Sequence, residues 1–188
     1  TFSSDKIYDN GKTVGDMYAG AKGKIYAGFD GADAYFNGAI ITEEGAHVEL
    51  GLFSGAKWIN SSTNGFANNT SNINKLYGSG AAKIVQSADS GDIIIDEYSG
   101  NTNVYYNHDK NVPYKFYGGD IKINHAAKDS KITLHTDYTT AIDWGNLEYV
   151  LNSLANKLYY LDAINGEDKL VAAVQIDEGL TSPKIDIQ

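Results

Sequence analysis

The chain has no cysteine and no arginine, only two prolines, and one methionine among 188 residues. Without cysteine there is no disulfide framework, so burial and hydrogen bonding alone must hold the fold. Without arginine, all 15 basic residues are lysines, set against 24 acidic residues for a net charge of −9. Phosphate backbones are met by clustered Lys and Arg, so nucleic acid is not an expected partner, and neither is an anionic membrane surface. An acidic exterior suits solubility, divalent cations, or cationic and mineral partners. No apolar run nears the ~18 residues of a membrane-spanning helix. Thr1-Phe2-Ser3-Ser4 does not read as a signal peptide. If the protein is exported, the chain is expected to be cut from something longer, since both ends read as mid-repeat sequence.

What is present is turn chemistry. The chain carries 20 glycines and 17 asparagines beside 42% hydrophobic residues, enough for a core. The stretch 91–137 organises the rest. It runs through Ile93-Ile94-Ile95, Val104-Tyr105-Tyr106, Tyr114-Lys115-Phe116-Tyr117, Ile121-Lys122-Ile123 and Ile132-Thr133-Leu134. Each piece is short, rich in Ile, Val, Thr and Tyr, and bounded by Gly, Asn, Asp or Ser, which is the pattern of strands punctuated by turns.

Length decides between architectures. The runs recur too tightly for crossover helices, which need a dozen or more residues. Two arrangements remain: an antiparallel sandwich, or a solenoid whose short strands stack on their equivalents one coil away. The irregular mix of apolar triplets and small-residue turns favours the solenoid. The expected fold is all-β, one solenoid segment over 1–188 with no internal domain boundary. About eight coils at ~4.8 Å would make a rod roughly 40 Å long, with Ile93, Ile95, Ile121, Ile123, Ile132 and Leu134 pointing inward.

A family resemblance sharpens this. Tyr98-Ser99-Gly100-Asn101-Thr102, then Tyr105-Tyr106 and His108-Asp109, then Gly118-Gly119-Asp120-Ile121-Lys122-Ile123, and Ser130-Lys131-Ile132-Thr133-Leu134 with Thr136-Asp137 resemble repeats of large surface autotransporter passengers from anaerobic diderm bacteria. The stretches 150–160 and 174–182 resemble the segment that follows such repeats, and Gly55-Ala56-Lys57-Trp58 is similar to a turn of pertactin-like passengers. The likeness covers roughly 48–182 and is strongest over 92–182. It implies a right-handed parallel β-helix, extracellular on the bacterial cell surface, acting in adhesion or biofilm formation.

Elsewhere, Met17-Tyr18-Ala19-Gly20 and Ile25-Tyr26-Ala27-Gly28 echo each other eight residues apart and suggest first coils of about 20 residues. The polar stretch 61–72 reads as a protruding loop. Leu147, Val150, Leu151, Leu154 and Leu158 share one helical face, so a short helix is expected over 146–157, capped by Asp143 or Asn146. Strands follow at 157–161 and 169–176, with a turn over 162–168.

Catalytic motifs are sparse. His47, His108, His125 and His135 include no close-spaced ligand pair, no nucleophile elbow or phosphate loop occurs, and neither metal nor cofactor is expected. Polysaccharide hydrolases and lyases also use β-helices, so a glycan-degrading enzyme is the alternative. Asp92, Asp96, Glu97, Asp109 and Asp120 would supply paired carboxylates, with His108 as an acid. The lack of arginine weighs against lyase chemistry.

The expected function is therefore a non-enzymatic surface adhesin segment presenting a binding surface to a host or bacterial glycan, protein or mineral. Tyr105, Tyr106, Asn107, His108, Asp109, Tyr114 and Tyr117 are the candidate contact residues, alongside the 61–72 loop, because tyrosine offers a flat apolar face with a polar tip. On that reading Tyr106→Ala and His108→Ala weaken adhesion without lowering the melting temperature. Open strand edges would allow weak self-association.

Overall fold

A computed structural model describes residues 11–112, 114–136, 147–176 and 184–187. The helix caps expected at Asp143 or Asn146, the stretch before residue 11, and Asp137 lie outside the described residues. The described residues begin with β1 (Lys12–Val14), β2 (Met17–Ala19), β3 (Lys24–Asp30), β4 (Tyr35–Asn37) and β5 (Ile40–Thr42). It continues through β6 (His47–Phe53), β7 (Lys57–Ile59), β8 (Ser71–Gln86), β9 (Ile93–Tyr106), β10 (Ile121–Ala126) and β11 (Ser130–Thr136). Then come α1 (Leu147–Ala155), β12 (Leu158–Tyr160), α2 (Leu161–Ile164), β13 (Leu170–Ile176) and β14 (Lys184–Ile187). The protein is all-β, and among the described residues the strand pairs are parallel except β13 with β14.

Parallel partners cannot be joined by a tight turn. Here the connection between partners is made by other strands. From Phe36 in β4 the chain passes through β5 and β6 before Trp58 in β7 lies beside it. The same register continues through Ile84, Val104, Leu134 and Val174. A second row runs Ala27, Leu50, Leu76, Tyr98 and Ala126. A third runs Ile73, Ile95, Ile123 and Tyr160. Because strand side chains alternate, one matched register keeps each whole row on the inside. Ile93, Ile95, Ile121, Ile123, Ile132 and Leu134 are all buried, as expected from their pattern. Each such side chain contributes about 1.5–3 kcal/mol by leaving water.

Aromatic rings fill one end of this core. Phe29, Phe36 and Trp58 stack with centroids 5.8 and 6.2 Å apart, and the Trp58 indole N–H donates to the Gly38 carbonyl at 2.9 Å. A buried polar column stands beside them. Asn60 Nδ2 donates to Gln86 Oε1 at 2.8 Å, and Gln86 Nε2 donates to the carbonyls of Gly91 and Gly119 at 3.0 and 3.1 Å. These bonds fasten the end of β8 and the segments beside it to one another, since a buried amide left unpaired would cost about 1–3 kcal/mol.

Several elements differ from expectation. The first repeats do not: the two echoing tetrapeptides pair with β5 and β6 and not with each other, Met17 beside Ile40 and Ile25 beside Val48, a spacing close to the expected length of about 20 residues. The Ile93-Ile94-Ile95 and Val104-Tyr105-Tyr106 pieces lie in a single bent strand, β9. At its bend, Gly100 (φ +90°) sits so close to Gly78 that a Cβ would lie 2.0 Å from the Gly78 oxygen, so only glycine fits. β8, the longest strand, was not foreseen, because Gly78-Ser79-Gly80 interrupts its apolar pattern. The 114–119 piece forms no strand; its one ladder contact is an antiparallel bridge between Phe116 and His108. Leu161, read as the end of a strand, starts α2. Helix α1 falls where its spacing placed it and buries Val150, Leu151 and Leu154.

Candidate binding groove

The expected contact residues divide between interior and surface. Tyr106 is 1% exposed and its hydroxyl donates to the Gly119 carbonyl at 2.7 Å, so it is core and cannot present a contact surface. Burial, with Asp120 and Asp92 nearby, pushes its phenol well above the ordinary value. Tyr105 is half-buried and stacks on His135 with centroids 4.5 Å apart. Asp109 folds its own loop: its carboxylate accepts from the Asn111 and Val112 amides at 2.7 and 3.3 Å and from the Tyr117 hydroxyl at 2.8 Å. Those bonds, the Asn111 amide foremost, hold it below the usual carboxylate range. His108 is half-buried on its bridge to Phe116. Asn107 and Tyr114 are exposed, and Tyr114 leans on Tyr149 of α1 at 6.2 Å.

The 61–72 loop is exposed over most of its length, as its polarity implied, although Ser71 and Asn72 already belong to β8. The structure brings its end, Asn68 and Thr70, to Gly118 and Gly119 around a polar hollow of about 340 Å³. None of the seven candidate contact residues lines that hollow.

A larger concavity lies elsewhere. In β8, β9 and β10 the in–out alternation breaks at one register: buried Ile73 and Leu76 flank outward Asn74 and Lys75, Ile95 and Tyr98 flank Asp96 and Glu97, and Ile123 and Ala126 flank Asn124 and His125. Two consecutive outward residues turn each strand through a corner. Stacking the corners makes two rows, Asn74–Asp96–Asn124 and Lys75–Glu97–His125, with Glu49 extending the second. Beyond the second row opens a groove of about 690 Å³ whose lining includes Phe53, Lys75, Tyr77, Glu97, Ser99 and His125. Its size lies within the ~300–1,000 Å³ usual for ligand sites.

Opposite charges alternate along the row. Lys75 Nζ lies 3.7 Å from Glu97 Oε2, and His125 Nδ1 lies 2.9 Å from Asp162 Oδ1 at the start of α2. The Asp162 hydrogen bond raises the His125 pKa. Burial pushes the Asp162 carboxyl up, but the bond and charge of His125, the Ala126 backbone and Lys169 together outweigh it and leave that group below its ordinary value. Phe53 and Tyr77 form a tilted aromatic pair, centroids 5.4 Å apart, in the groove lining. The floor is firm: Tyr98 is buried beneath, its hydroxyl donating to the Lys131 carbonyl.

Of the candidate catalytic carboxylates, only Glu97 reaches this groove. Asp92 accepts from the Asp120 amide at 2.8 Å and faces Lys122 at 3.4 Å. Asp96 accepts from Asn124 at 3.3 Å and lines a separate cavity of about 500 Å³ with Glu43 and Glu44. Among the described residues no group of three or more His, Asp or Glu side chains is arranged to hold a metal ion. No described helix is long and apolar enough to cross a membrane. No protein-family model, curated protein or solved structure matches the chain.

Proposed function

We propose that the chain is a segment of a non-enzymatic bacterial surface adhesin, built as a right-handed parallel β-helix and displayed outside the cell. The register supports the β-helix: one residue per turn stacks in an inward row from Phe36 to Val174, and the longest strand path runs β1-β4-β7-β8-β9-β11-β13-β14. Seven steps of ~4.8 Å along that path span roughly 34 Å. Weak self-association through open strand edges belongs to the same proposal.

The observation that carries the adhesin reading is the groove of about 690 Å³, which joins an aromatic pair to a row of polar side chains on a rigid parallel sheet. Rigid strands hold such a surface without the ordering cost a loop would incur. Beads displaying the chain are expected to adhere to epithelial cells, bacterial cells, glycoprotein films or mineral surfaces, and to be released by excess soluble chain. Retention no greater than that of uncoated beads on all four removes the proposal.

One observation favours a second reading, glycan hydrolysis. The cavity of about 500 Å³ gathers Glu43, Glu44 and Asp96. Two of these already have structural work: Glu43 accepts from the Tyr18 hydroxyl and the Ala21 amide, and Asp96 holds Asn124. Reducing-sugar release from a polysaccharide panel, lost in Glu44→Gln, would establish hydrolysis in place of adhesion.

A further inference from the structure

We infer that the groove beside Phe53 and Tyr77 is a binding site for an uncharged saccharide, stacked on the aromatic pair by the apolar face of its ring. The inference rests on the adhesin reading and names its ligand class. Phe53 and Tyr77 lie on adjacent strands, β6 and β8, with centroids 5.4 Å apart, so they form a short platform. Beside it on β8 and the neighbouring strands, Lys75 offers donors, Glu97 acceptors, and Ser99 and His125 both. An apolar platform beside a few polar groups is the general composition of small-molecule sites, and a saccharide ring, with C–H groups on its face and hydroxyls at its edge, matches both.

Charge selects among saccharides. Each ionisable group in the row already has a partner: His47 for Glu49, Glu97 for Lys75 and Asp162 for His125. An ionic ligand would have to displace one of these partners, whereas a hydroxyl can donate to Glu97 or accept from Lys75 with the pair intact. Uronates and sialylated glycans also meet the field of a chain carrying −9. A cationic ligand is favoured by that field but meets Lys75 and His125 at the groove itself. The uncharged polyhydroxylated ligand is the one that neither breaks a pair nor opposes the field.

The test is calorimetric titration of the intact chain with neutral oligosaccharides built from glucose, galactose and N-acetylhexosamines, beside uronate and sialylated counterparts. Saturable binding is expected for at least one neutral series, weakened about tenfold or more by Phe53→Ala and by Tyr77→Ala, which removes about 1.4 kcal/mol or more. Tyr77→Trp is expected to retain binding, and Tyr149→Ala, on an exposed helix face away from the groove lining, to leave it unchanged. Each variant is checked for an unchanged unfolding transition, and Tyr77→Leu, which removes the ring but keeps an apolar side chain, replaces Tyr77→Ala where that variant fails to fold. Binding confined to acidic glycans or to proteins, or neutral-glycan binding indifferent to Tyr77, overturns the inference. Beads that adhere to cells while no neutral saccharide binds would sink the groove assignment and leave the adhesin reading standing. Tyr77-dependent saccharide binding without adhesion would do the reverse.

Discussion

Replacing Tyr106 by phenylalanine removes one oxygen from the interior; replacing it by alanine removes the whole ring. The ring is 1% exposed, and its hydroxyl donates to the Gly119 carbonyl at 2.7 Å. That carbonyl also accepts from Gln86 Nε2 at 3.1 Å, so Tyr106→Phe leaves it one partner. The expected loss is about 1 kcal/mol, the ordinary net value of a buried hydrogen bond whose acceptor is not orphaned. Tyr106→Ala adds the cavity left by an aromatic ring, for a total of about 3–5 kcal/mol. In a chain of this size 1 kcal/mol moves the midpoint by about 2–4 °C, so the alanine variant should unfold at least 6 °C early, by roughly the same scaling. Circular dichroism melts together with urea titrations measure both. If Tyr106→Ala melts within 1 °C of the parent, by roughly that scaling, the side chain is not core and the register of β9 is wrong. The result also bears on adhesion, because a contact residue would change binding without changing the melt.

Three further outcomes follow from single observations. Gly100→Ala forces a Cβ against the Gly78 oxygen at positive φ, so soluble yield should fall sharply, with Asn101→Ala as an exposed control. The His125 imidazole, followed by NMR, should titrate above its ordinary value and move back toward it in Asp162→Asn. Its folded pKa is raised, so its contribution is present below the unfolded value and lost as pH rises through the folded one; Asp162 is lowered, so its share is lost as pH falls through its own folded value. The pair therefore supports α2 only between those two limits. Tyr98 and Tyr106 are both raised by burial, so unfolded tyrosine releases its proton first and stability should decline above about pH 10. A flat stability profile through that range would contradict the burial of both.

How much of this was legible in the sequence depends on which signal each element left. Apolar triplets bounded by small residues marked the strands of 91–137, and the helical spacing of Leu147, Val150, Leu151 and Leu154 marked α1. β8 escaped because its glycines sit mid-strand, where they read as a loop although they serve as a bend stacked on Gly100. Tyr114-Lys115-Phe116-Tyr117 misled in the opposite direction. Its strand-like composition serves to bury Phe116 and to give Asp109 a hydroxyl partner, which are loop tasks.

The groove left a signal of a different kind, visible only when three distant tetrapeptides are laid side by side. Ile73-Asn74-Lys75-Leu76, Ile95-Asp96-Glu97-Tyr98 and Ile123-Asn124-His125-Ala126 share one pattern: an inward apolar residue, an Asn or Asp, a charged or titratable residue, and a second inward residue. Within any one of them, two polar residues between apolar ones look like a flaw in strand alternation. Stacked in register, they are a corner, and a corner repeated on three strands turns isolated charges into a row with alternating sign. Tyrosine density pointed instead to 105–117, where the ring of Tyr106 is consumed by packing. Because parallel stacking carries each position onto its counterpart in the next strand, chemistry in this chain collects along rows perpendicular to the sequence. Residue types dense within one stretch are therefore a poorer guide to its surface sites than one polar exception recurring at matched positions.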